Sequence, residues 1–557
     1  MSAKLINQEL SAYLCRHLIT KESINRLLQK NCMEAFFPEI NEDKVNPTTL
    51  NVLKKIRFQN YMRAITEIKS IFDKNNISFV VMKGLALALD LYDKEPYQRP
   101  FGDIDILVSP EELAAALSHL RMAGYKSNED ISAETFLSEP NHEHHFPSLF
   151  KSGGILNNIV LEVHVDIVPK WIFQMSQSHT AQILLDSYVN SYGIPVMDDC
   201  DTIIFLMLHL LKHYLYEMLM GIVSGKTEAE VDLRALHEIA LFIDKAKNSV
   251  SREILELRAS EYKTGNELAL ICHMLTDIYP SLKDLLSFYI ATDDRACFSN
   301  RFSREALKIG VQQILFGDKR QLVCSIISKL QQDAYILPCY KITKPEKLVS
   351  VQTVFMNGYS SANDNRFGTY VDTLNNSLKP ECNISFYIEW CREFFWFHIT
   401  VKDKNFTFLK CDPETLRQTI GKQDYVRLHF DTGNREANKA FVRGILLKPQ
   451  YDKDNILKLF LKEDIMGNNA ETELEQTEYI GMVHYNNNIV KMDVGLPWSR
   501  LGYKPQNDFT FFFDVQVWKY YDKYDCHVAL SWQDAYKPWY DITTYAGVKL
   551  LDDIDIE

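Results

Sequence analysis

The 557-residue sequence has little glycine and proline, and its cysteines form no recognisable pairs. Glycine and proline together make 39 residues, about 7% of the chain against a usual ~12%, which excludes collagen-like and low-complexity organisation. The 11 cysteines are an odd number with no C-x-x-C spacing. We therefore expect reduced thiols in a cytoplasmic protein.

The sequence also lacks a long apolar run and an excess of positive charge. Its most apolar stretch, Ile203 to Leu211, contains His209 and is far shorter than the ~20 residues of a membrane span. The first residues contain no uninterrupted apolar segment, so we expect neither a signal peptide nor a membrane partner. The net charge of −13 disfavours binding of long nucleic acid, although it permits a local nucleotide pocket.

What is present indicates a folded α+β protein of two or three domains. Apolar periodicity predicts a helical lead over 1–75, a mixed α/β core over 76–170 and a helical part over 171–345. The core strands are predicted at 77–82, 103–108 and 159–168, and one helix is predicted over 304–330. From 346 to 557 aromatic residues and period-2 runs predict an antiparallel β-sandwich, with the boundary near residue 345.

Two acidic residues on the second predicted strand indicate a site that binds a cation. Asp103 and Asp105 are two apart, so their side chains share one face of the strand. Carboxylates held this close repel each other unless a cation lies between them, and Mg²⁺ is the natural cation beside phosphates. Glu162, His164 and Asp166 share a face of the third strand, and Glu162 can supply a third carboxylate. A solvated strand end is the alternative for the Asp pair alone.

Positive charge and a glycine precede this acidic strand. Lys83 and Gly84 lie between a predicted strand and a helix start, where free backbone N–H groups favour an anion. Arg99 stands four residues before Asp103. An anion cradle followed by metal-binding carboxylates is the arrangement that phosphoryl or nucleotidyl transfer requires.

The segment KGLALALDLYDKEPYQRPFGDIDILV at 83–108, with HH at 144–145 and LEVH at 161–164, resembles the polymerase-beta-like nucleotidyltransferase superfamily. It is most similar to the bacterial branch of uncharacterised nucleotidyltransferases, over about 50–240. The resemblance implies that Asp103, Asp105 and Glu162 are catalytic metal ligands for Mg²⁺ or Mn²⁺. It also implies that Lys83, Gly84 and Arg99 bind the nucleotide. One departure is Leu85, because the wider superfamily usually has a serine there.

Several polar residues near these motifs have two interpretations. His142, His144 and His145 fit no closed zinc pattern, so we expect a polar loop in which a residue such as His145 faces the site. His164 is interpreted as a partner that orients Glu162 rather than as a ligand. His209 and His213 are one helical turn apart and are assigned to helix packing or pocket lining. Asp232 and Arg234 are read as an ion pair, with nucleotide binding as the alternative.

The C-terminal region carries a second resemblance. The motifs LPWSRLG at 496–502 and DYVRLHFD at 424–431 are similar to family-9 carbohydrate-binding modules, over about 346–557. That family is a β-sandwich that holds sugars between aromatic rings. Most tryptophans here are expected in the core. The candidates for sugar stacking are Trp390, Trp396, Trp532 and Trp539.

The sequence thus predicts a metal-dependent nucleotidyltransferase that moves an NMP from an NTP, ATP by default, with release of pyrophosphate. The acceptor is left open among a small molecule, a sugar and a peptide or protein. One alternative is a catalytically degenerate fold that binds glycan or nucleotide. Another is a metal-dependent phosphohydrolase that uses the same carboxylates.

Overall fold

The computed structural model forms two compact units, Met1–Tyr216 with Glu230–Asp318 and Glu217–Ala229 with Lys319–Glu557. Among the described residues, we find no helix with both the length and the apolar character needed to span a bilayer. The structure describes residues 3–18, 20–33, 36–37, 47–92, 95–129, 131–138, 143–152, 158–173, 179–223, 231–287, 298–332, 336–341, 354–356, 383–410, 423–431, 433, 442–452, 454–465, 472–474, 478–521, 526–531 and 546–551.

The first unit combines helices with a small sheet. Its α-helices, with α9 reaching seven residues beyond it, are α1 Ala3–His17, α2 Lys21–Lys30, α3 Pro47–Lys74, α4 Lys83–Leu91, α5 Leu113–Met122, α6 Ala133–Ser138, α7 Lys170–Phe173, α8 Thr180–Asp186, α9 Asp199–Val223, α10 Leu233–Ala246, α11 Arg252–Tyr262, α12 Gly265–Ile278, α13 Lys283–Leu286, α14 Phe298–Ala306 and α15 Val311–Phe316. Short 3₁₀ helices cover Pro96–Gln98 and Pro280–Leu282. The strands are β1 Phe79–Val81, β2 Ile104–Val108, β3 Lys126–Ser127, β4 Leu149–Ser152, β5 Asn158–His164, β6 Tyr188–Val189 and β7 Pro195–Val196.

These strands form one mixed sheet in the order β3-β4-β5-β2-β1-β7-β6. The central strand β2 is antiparallel to β1 and parallel to β5. Ile104 and Ile106 on β2 pack with Leu161 and Val163 on β5 in the core that α3 and α5 cover. Because side chains alternate along a strand, Asp105 and Glu162 lie on the opposite face of the sheet.

The structure shortens all three predicted core strands, with β1 limited to Phe79–Val81, and divides one predicted helix. β2 begins at Ile104, and β5 ends at His164 rather than at residue 168. The range 304–330, predicted as one helix, is divided among α14, α15 and a third helix at Lys319–Gln331. The breaks occur because the backbones of Gly310 and Gly317 are extended. A Cβ atom at Gly317 would lie 2.5 Å from the Gln313 carbonyl oxygen, so this break requires glycine.

The second unit consists mainly of strands. It contains the helices α16 Lys319–Gln331 and α17 Trp498–Leu501. Its strands are β8 Ile336–Lys341, β9 Val354–Met356, β10 Asn383–Trp390, β11 Phe394–Lys402, β12 Leu409–Lys410, β13 Tyr425–Asp431, β14 Val442–Tyr451, β15 Leu457–Ile465, β16 Thr472–Glu473, β17 Ile480–Asn486, β18 Ile489–Pro497, β19 Thr510–Tyr521, β20 Cys526–Ser531 and β21 Ala546–Leu551.

The strands fold into two layers around an aromatic core. The sheet order is β16-β15-β14-β13-β19-β21-β8-β10-β11-β18-β17, and most neighbours are antiparallel. Phe395 on β11 nevertheless contacts Phe430 on β13 and Phe513 on β19, with ring centroids 5.9 and 6.0 Å apart. These strands are far apart in the sheet order, so the two ends of that order must face each other as separate layers. The expected α+β class with a β-sandwich is confirmed.

Seven strands of the sandwich were not predicted, among them β9, β12 and β16, which have only two or three residues each. β8 lies before residue 345, in a range expected to be helical, and the change from helices to strands falls between Gln331 and Ile336. The side chains of β17 are nearly all exposed, so this strand has no apolar alternation to reveal it. β18 and β21 were also missed as strands. The domain ranges divided near residue 345 stay a prediction.

The outer face of β10, β11 and β18 carries an ion-paired histidine. His398 Nδ1 lies 2.6 Å from Asp493 Oδ1, and His398 Nε2 lies 3.6 Å from Glu389 Oε2. Burial alone lowers the pKa of His398, but the hydrogen bonds and charges of the two carboxylates outweigh it and raise the pKa above its usual value. A raised pKa stabilises the folded state below ~6.5, and this contribution is lost as the pH rises through the folded-state pKa.

We therefore expect His398→Gln to lower the melting temperature more at pH 6 than at pH 9. Thermal unfolding of both proteins at the two pH values measures this difference. His484→Gln, on the exposed strand β17, is the matched control and should show no such pH dependence. An equal loss for His398→Gln at both pH values would contradict the ion pair.

Candidate active site

The register between two parallel strands brings the acidic residues together. Asp105 on β2 pairs with Glu162 on β5, and Leu107 pairs with His164. Paired residues of neighbouring strands point to the same side of the sheet. The polar side chains of both strands therefore meet on the face opposite the apolar core.

Asp105 is the centre of this cluster. It is fully buried, and its Oδ1 atom lies 2.9 Å from Lys83 Nζ and 3.1 Å from His164 Nε2. The same His164 nitrogen is 3.7 Å from Glu162 Oε2. A carboxylate removed from water needs such partners, because desolvation of an unpaired charge costs several kcal/mol or more.

The donor set at this position fits a metal ion. Asp105, Glu162 and His164 each offer one ligand atom, and these atoms lie within 4.8 Å of one another. Asp105 Oδ2 and His164 Nδ1 are buried and have no hydrogen-bond partner among the described residues. Carboxylate oxygens suit Mg²⁺ and Mn²⁺, and an imidazole nitrogen favours the softer of the two. The roles of Asp103, Asp105 and Glu162 as ligands stay a prediction.

Asp103 lies beside the cluster, immediately before β2. Burial and the neighbouring Asp105 charge raise its pKa to about 6, although the positive charge of Lys83 opposes this. Glu162 shows the opposite behaviour: burial raises its pKa, but the hydrogen bond from His164 and the charges of His145 and His164 hold it below its usual range. Asp103 and Glu162 thus differ in proton affinity, because burial and the Asp105 charge dominate at Asp103, whereas the two histidines dominate at Glu162.

Three histidine rings surround Glu162 and Asp105. The ring centroids of His144, His145 and His164 are 4.8 to 5.2 Å apart, and His145 forms a β-bridge with His164. Burial is the main cause that lowers the pKa of His144 and His145. The structure places His145 and His164 beside Glu162, and His164 belongs to the group that could hold a metal ion; the roles of both histidines stay a prediction.

The Lys83–Gly84 turn begins helix α4 directly beside Asp105. The Met82 N–H donates to the Asp105 carbonyl oxygen at 2.9 Å, which fixes the turn against β2. A Cβ atom on Gly84 would lie 3.3 Å from the Phe101 Cβ, so glycine lets the following loop pack closely. Burial lowers the pKa of Lys83, but Asp105, Asp103 and Glu162 outweigh it and keep the ammonium charged.

Arg99 forms a buried ion pair with Glu238. Its Nε and Nη2 atoms each donate to one Glu238 carboxylate oxygen at 2.9 Å, and its Nη1 donates to the Gly84 carbonyl oxygen at 3.2 Å. Tyr92 donates its hydroxyl to the same Glu238 at 2.8 Å. These contacts make Arg99 a positioning residue for the α4 turn, while direct contact with a nucleotide stays a prediction.

Sequence reasoning missed the roles of Glu238, Lys212 and His144. Glu238 looks like any acid on an amphipathic helix, and only the tertiary contact with Arg99 distinguishes it. The Nζ atom of Lys212, on α9, lies 3.2 Å from the Nε2 atom of His144. Its signal in the sequence was a polar group, His209, Lys212 and His213, on one side of a mostly apolar helix.

The candidate sugar-stacking tryptophans have different environments. Trp390 is 3% exposed in the sandwich core and donates its indole N–H to the Leu551 carbonyl oxygen at 2.9 Å, so its ring offers no area to a sugar. Trp396 lies on the outer face, where a Cβ atom at Gly495 would be 3.1 Å from its indole. Trp532 and Trp539 lie outside the described residues.

The Arg99–Glu238 pair yields a stability prediction. Glu238→Ala leaves a guanidinium that is 9% exposed without its carboxylate, and breaking a buried pair in this way costs about 3–5 kcal/mol. We expect urea unfolding, monitored by circular dichroism, to show that the free energy of unfolding in the first transition falls by this amount. Glu253→Ala on the exposed start of α11 is the control, and a loss below about 1 kcal/mol for Glu238→Ala would contradict the pairing.

Solved structures similar to the C-terminal region include the following three. A carbohydrate binding module family 9 protein from Caldicellulosiruptor kristjanssonii in complex with glucose is 13% identical, covers 40% of this chain and 98% of its own, and has a TM-score of 0.26. The same module with cellotriose is 12% identical, covers 40% and 95%, and has a TM-score of 0.27. A putative carbohydrate-binding protein from Bacteroides uniformis is 10% identical, covers 39% and 100%, and has a TM-score of 0.25.

A comparison with curated proteins gave no match. A family model described as an uncharacterised nucleotidyltransferase matches residues 6–316, which is more than half of the chain and includes every residue of the Asp105 cluster. The chain therefore belongs to the uncharacterised nucleotidyltransferase family.

Proposed function

We propose that this protein is a metal-dependent nucleotidyltransferase that moves an NMP from an NTP to an acceptor and releases pyrophosphate. The observation that carries the proposal is the buried Asp105 with Glu162 and His164 around it, beside the lysine that begins α4. Acidic groups that suit a metal and a cation that suits a phosphate thus lie together on one face of the sheet. A fully buried carboxylate with one oxygen that has no partner among the described residues suits a metal ligand, which supports the proposal.

The chain's own residues have separate tasks in this proposal. Asp103, Asp105 and Glu162 hold the metal, and His164 orients Asp105 and Glu162. Lys83 and the first N–H groups of α4 contact the phosphates, while Arg99 holds the turn through the Gly84 carbonyl oxygen. When bound, Mg²⁺ or Mn²⁺ supplies positive charge that offsets the charge developing on the phosphate oxygens.

The transfer itself is a displacement at phosphorus. The acceptor's nucleophilic atom forms a bond to the α-phosphorus, and the bond from that phosphorus to the bridging oxygen breaks. Pyrophosphate leaves with the electron pair, and the proton of the nucleophile is released. The protein's contribution is to position the reactants and to compensate charge, which accounts for most of the catalysis in such reactions.

The acceptor is proposed as a sugar, another small molecule, or a peptide or protein side chain, with ATP as the default donor. A cytoplasmic location is proposed with it, supported by the buried thiols of Cys200, Cys272 and Cys339. The alternative is a degenerate fold that binds a nucleotide or a glycan without turnover. Leu85 favours that alternative, because its buried side chain cannot replace a serine hydroxyl at the turn.

Pyrophosphate release from each of the four NTPs, with Mg²⁺ or Mn²⁺ and cell extract as the acceptor source, tests the proposal. We expect release that is selective for one NTP and at least 100-fold slower in Asp105→Asn, because the amide removes the charge at the centre of the site. Asp73→Asn, on the exposed part of α3, is the control and should match the wild type. Circular dichroism checks that each variant is folded.

The other outcomes distinguish the alternatives. Release of orthophosphate instead of pyrophosphate would indicate a phosphohydrolase. Nucleotide binding without turnover that Asp105→Asn leaves unchanged would favour a binding protein. The absence of both release and metal-dependent nucleotide binding would contradict the catalytic proposal.

For the sandwich we propose sugar binding on the outer face of β10 and β11. His398 stacks on Tyr387 with 4.3 Å between ring centroids and lies 6.0 Å from Trp396, and the planes differ by 12° in both pairs. Asp493 and Glu389 flank this row. Parallel aromatic faces bordered by carboxylate acceptors suit the apolar face and the hydroxyl groups of a hexose.

Isothermal titration with glucose and cellotriose tests the aromatic row. We expect Trp396→Ala to weaken binding at least tenfold, because it removes the largest ring face of the row. Tyr485→Ala, on β17 of the same sheet, removes a 41% exposed ring outside the row and is the control. Unchanged affinity in Trp396→Ala would rule out this face.

A further inference from the structure

A second half-buried lysine faces the candidate site without a carboxylate partner. Lys212 on α9 contacts His144 Nε2 at 3.2 Å, and no carboxylate oxygen of the described residues lies within 4.0 Å of its ammonium. Lys83 and Arg99, in contrast, pair with Asp105 and Glu238 at 2.9 Å. Among the described residues of this region, Lys212 is therefore a cation that no carboxylate neutralises by direct contact.

The position of Lys212 is fixed by a neutral ring. His144 is 5% exposed, and its carbonyl oxygen accepts the Val165 and Asp166 N–H groups at 2.9 and 3.2 Å, so it is anchored at the end of β5. Burial and then the Lys212 charge hold the pKa of His144 well below its usual value. The unprotonated Nε2 can thus accept a hydrogen bond from the ammonium and aim it.

Two positive charges near each other are unfavourable in a low-dielectric site. Burial and the Lys83 charge lower the pKa of Lys212 to about 8, although Glu162, Glu143 and Asp105 oppose this. An anion that contacts both ammonium groups would offset the repulsion. The turn at Gly84 cannot supply a hydroxyl for that anion, because Leu85 is completely buried in the apolar core.

We propose that Lys212, together with Lys83, binds the β- and γ-phosphates of the NTP, which leave as pyrophosphate. The inference rests on the proposed nucleotidyl transfer. It adds Lys212, from helix α9, to the residues that would bind the nucleotide. The charge of Lys212 is available because a histidine, and not an acid, positions it.

Titration of inorganic pyrophosphate with Mg²⁺ tests this assignment. We expect Lys212→Met to bind pyrophosphate and the selected NTP at least tenfold more weakly, and to bind the corresponding NMP within twofold of the wild type. Lys212→Arg should retain binding within threefold, because it keeps the charge. Lys126→Met, on the exposed position of β3, should not change any of these affinities.

Two further readouts separate phosphate binding from a structural role. The melting temperature of nucleotide-free Lys212→Met should equal or exceed that of the wild type, since the variant loses a buried, unpaired cation. His144→Leu should weaken pyrophosphate binding, whereas His144→Gln should restore it, because the amide oxygen can accept from Lys212. A lower melting temperature with equal losses for NMP and pyrophosphate would overturn the inference.

The inference and the proposed function fail in different ways. If the wild type releases pyrophosphate and Lys212→Met has the same KM and the same product inhibition by pyrophosphate, the Lys212 assignment is wrong and the transferase proposal stands. If the wild type binds neither the NTPs nor pyrophosphate, both are wrong.

Discussion

The buried charge of Asp105 is the constraint on which the candidate site depends. A carboxylate with no exposed surface must be compensated, and the fold does this with Lys83 from the start of α4 and His164 from β5. The parallel register of β2 and β5 makes this compensation geometrically possible. One oxygen of the carboxylate has no hydrogen-bond partner among the described residues, and this oxygen is available to a cation.

Around Asp105, a further buried charge is also neutralised by an ion pair. Arg99 and Glu238 neutralise each other and hold the Gly84 carbonyl oxygen, so the turn that presents Lys83 is supported by an ion pair from α10. Burial lowers the pKa of His144 and His145, and the Lys212 charge adds to this effect. This arrangement leaves Lys212 as a cation that faces a neutral ring, and it explains why that residue, rather than Arg99, has charge to offer an anion.

The sandwich depends on a different constraint, the packing of aromatic rings between two layers. Phe395, Phe430, Phe511 and Phe513 fill the interior, and Trp390 and Trp498 are buried with them. Alternation along β11 then places Trp396 and His398 on the outside, where the rings lie parallel. The alternation that directs every second side chain of β11 into the core therefore also directs the residues between them into the half-buried aromatic row on the outer face.

The sequence by itself determined the α+β class, the order of strands β1, β2 and β5, and the membership of Asp103, Asp105, Glu162 and Lys83 in one region. It could do so because strand alternation and glycine turns are local properties. Tertiary structure alone decided that Arg99 pairs with Glu238, that Lys212 meets His144, and that Trp390 is buried while Trp396 is not. Residues that are far apart in the chain make these contacts, and no local pattern specifies which distant partner will satisfy a buried charge.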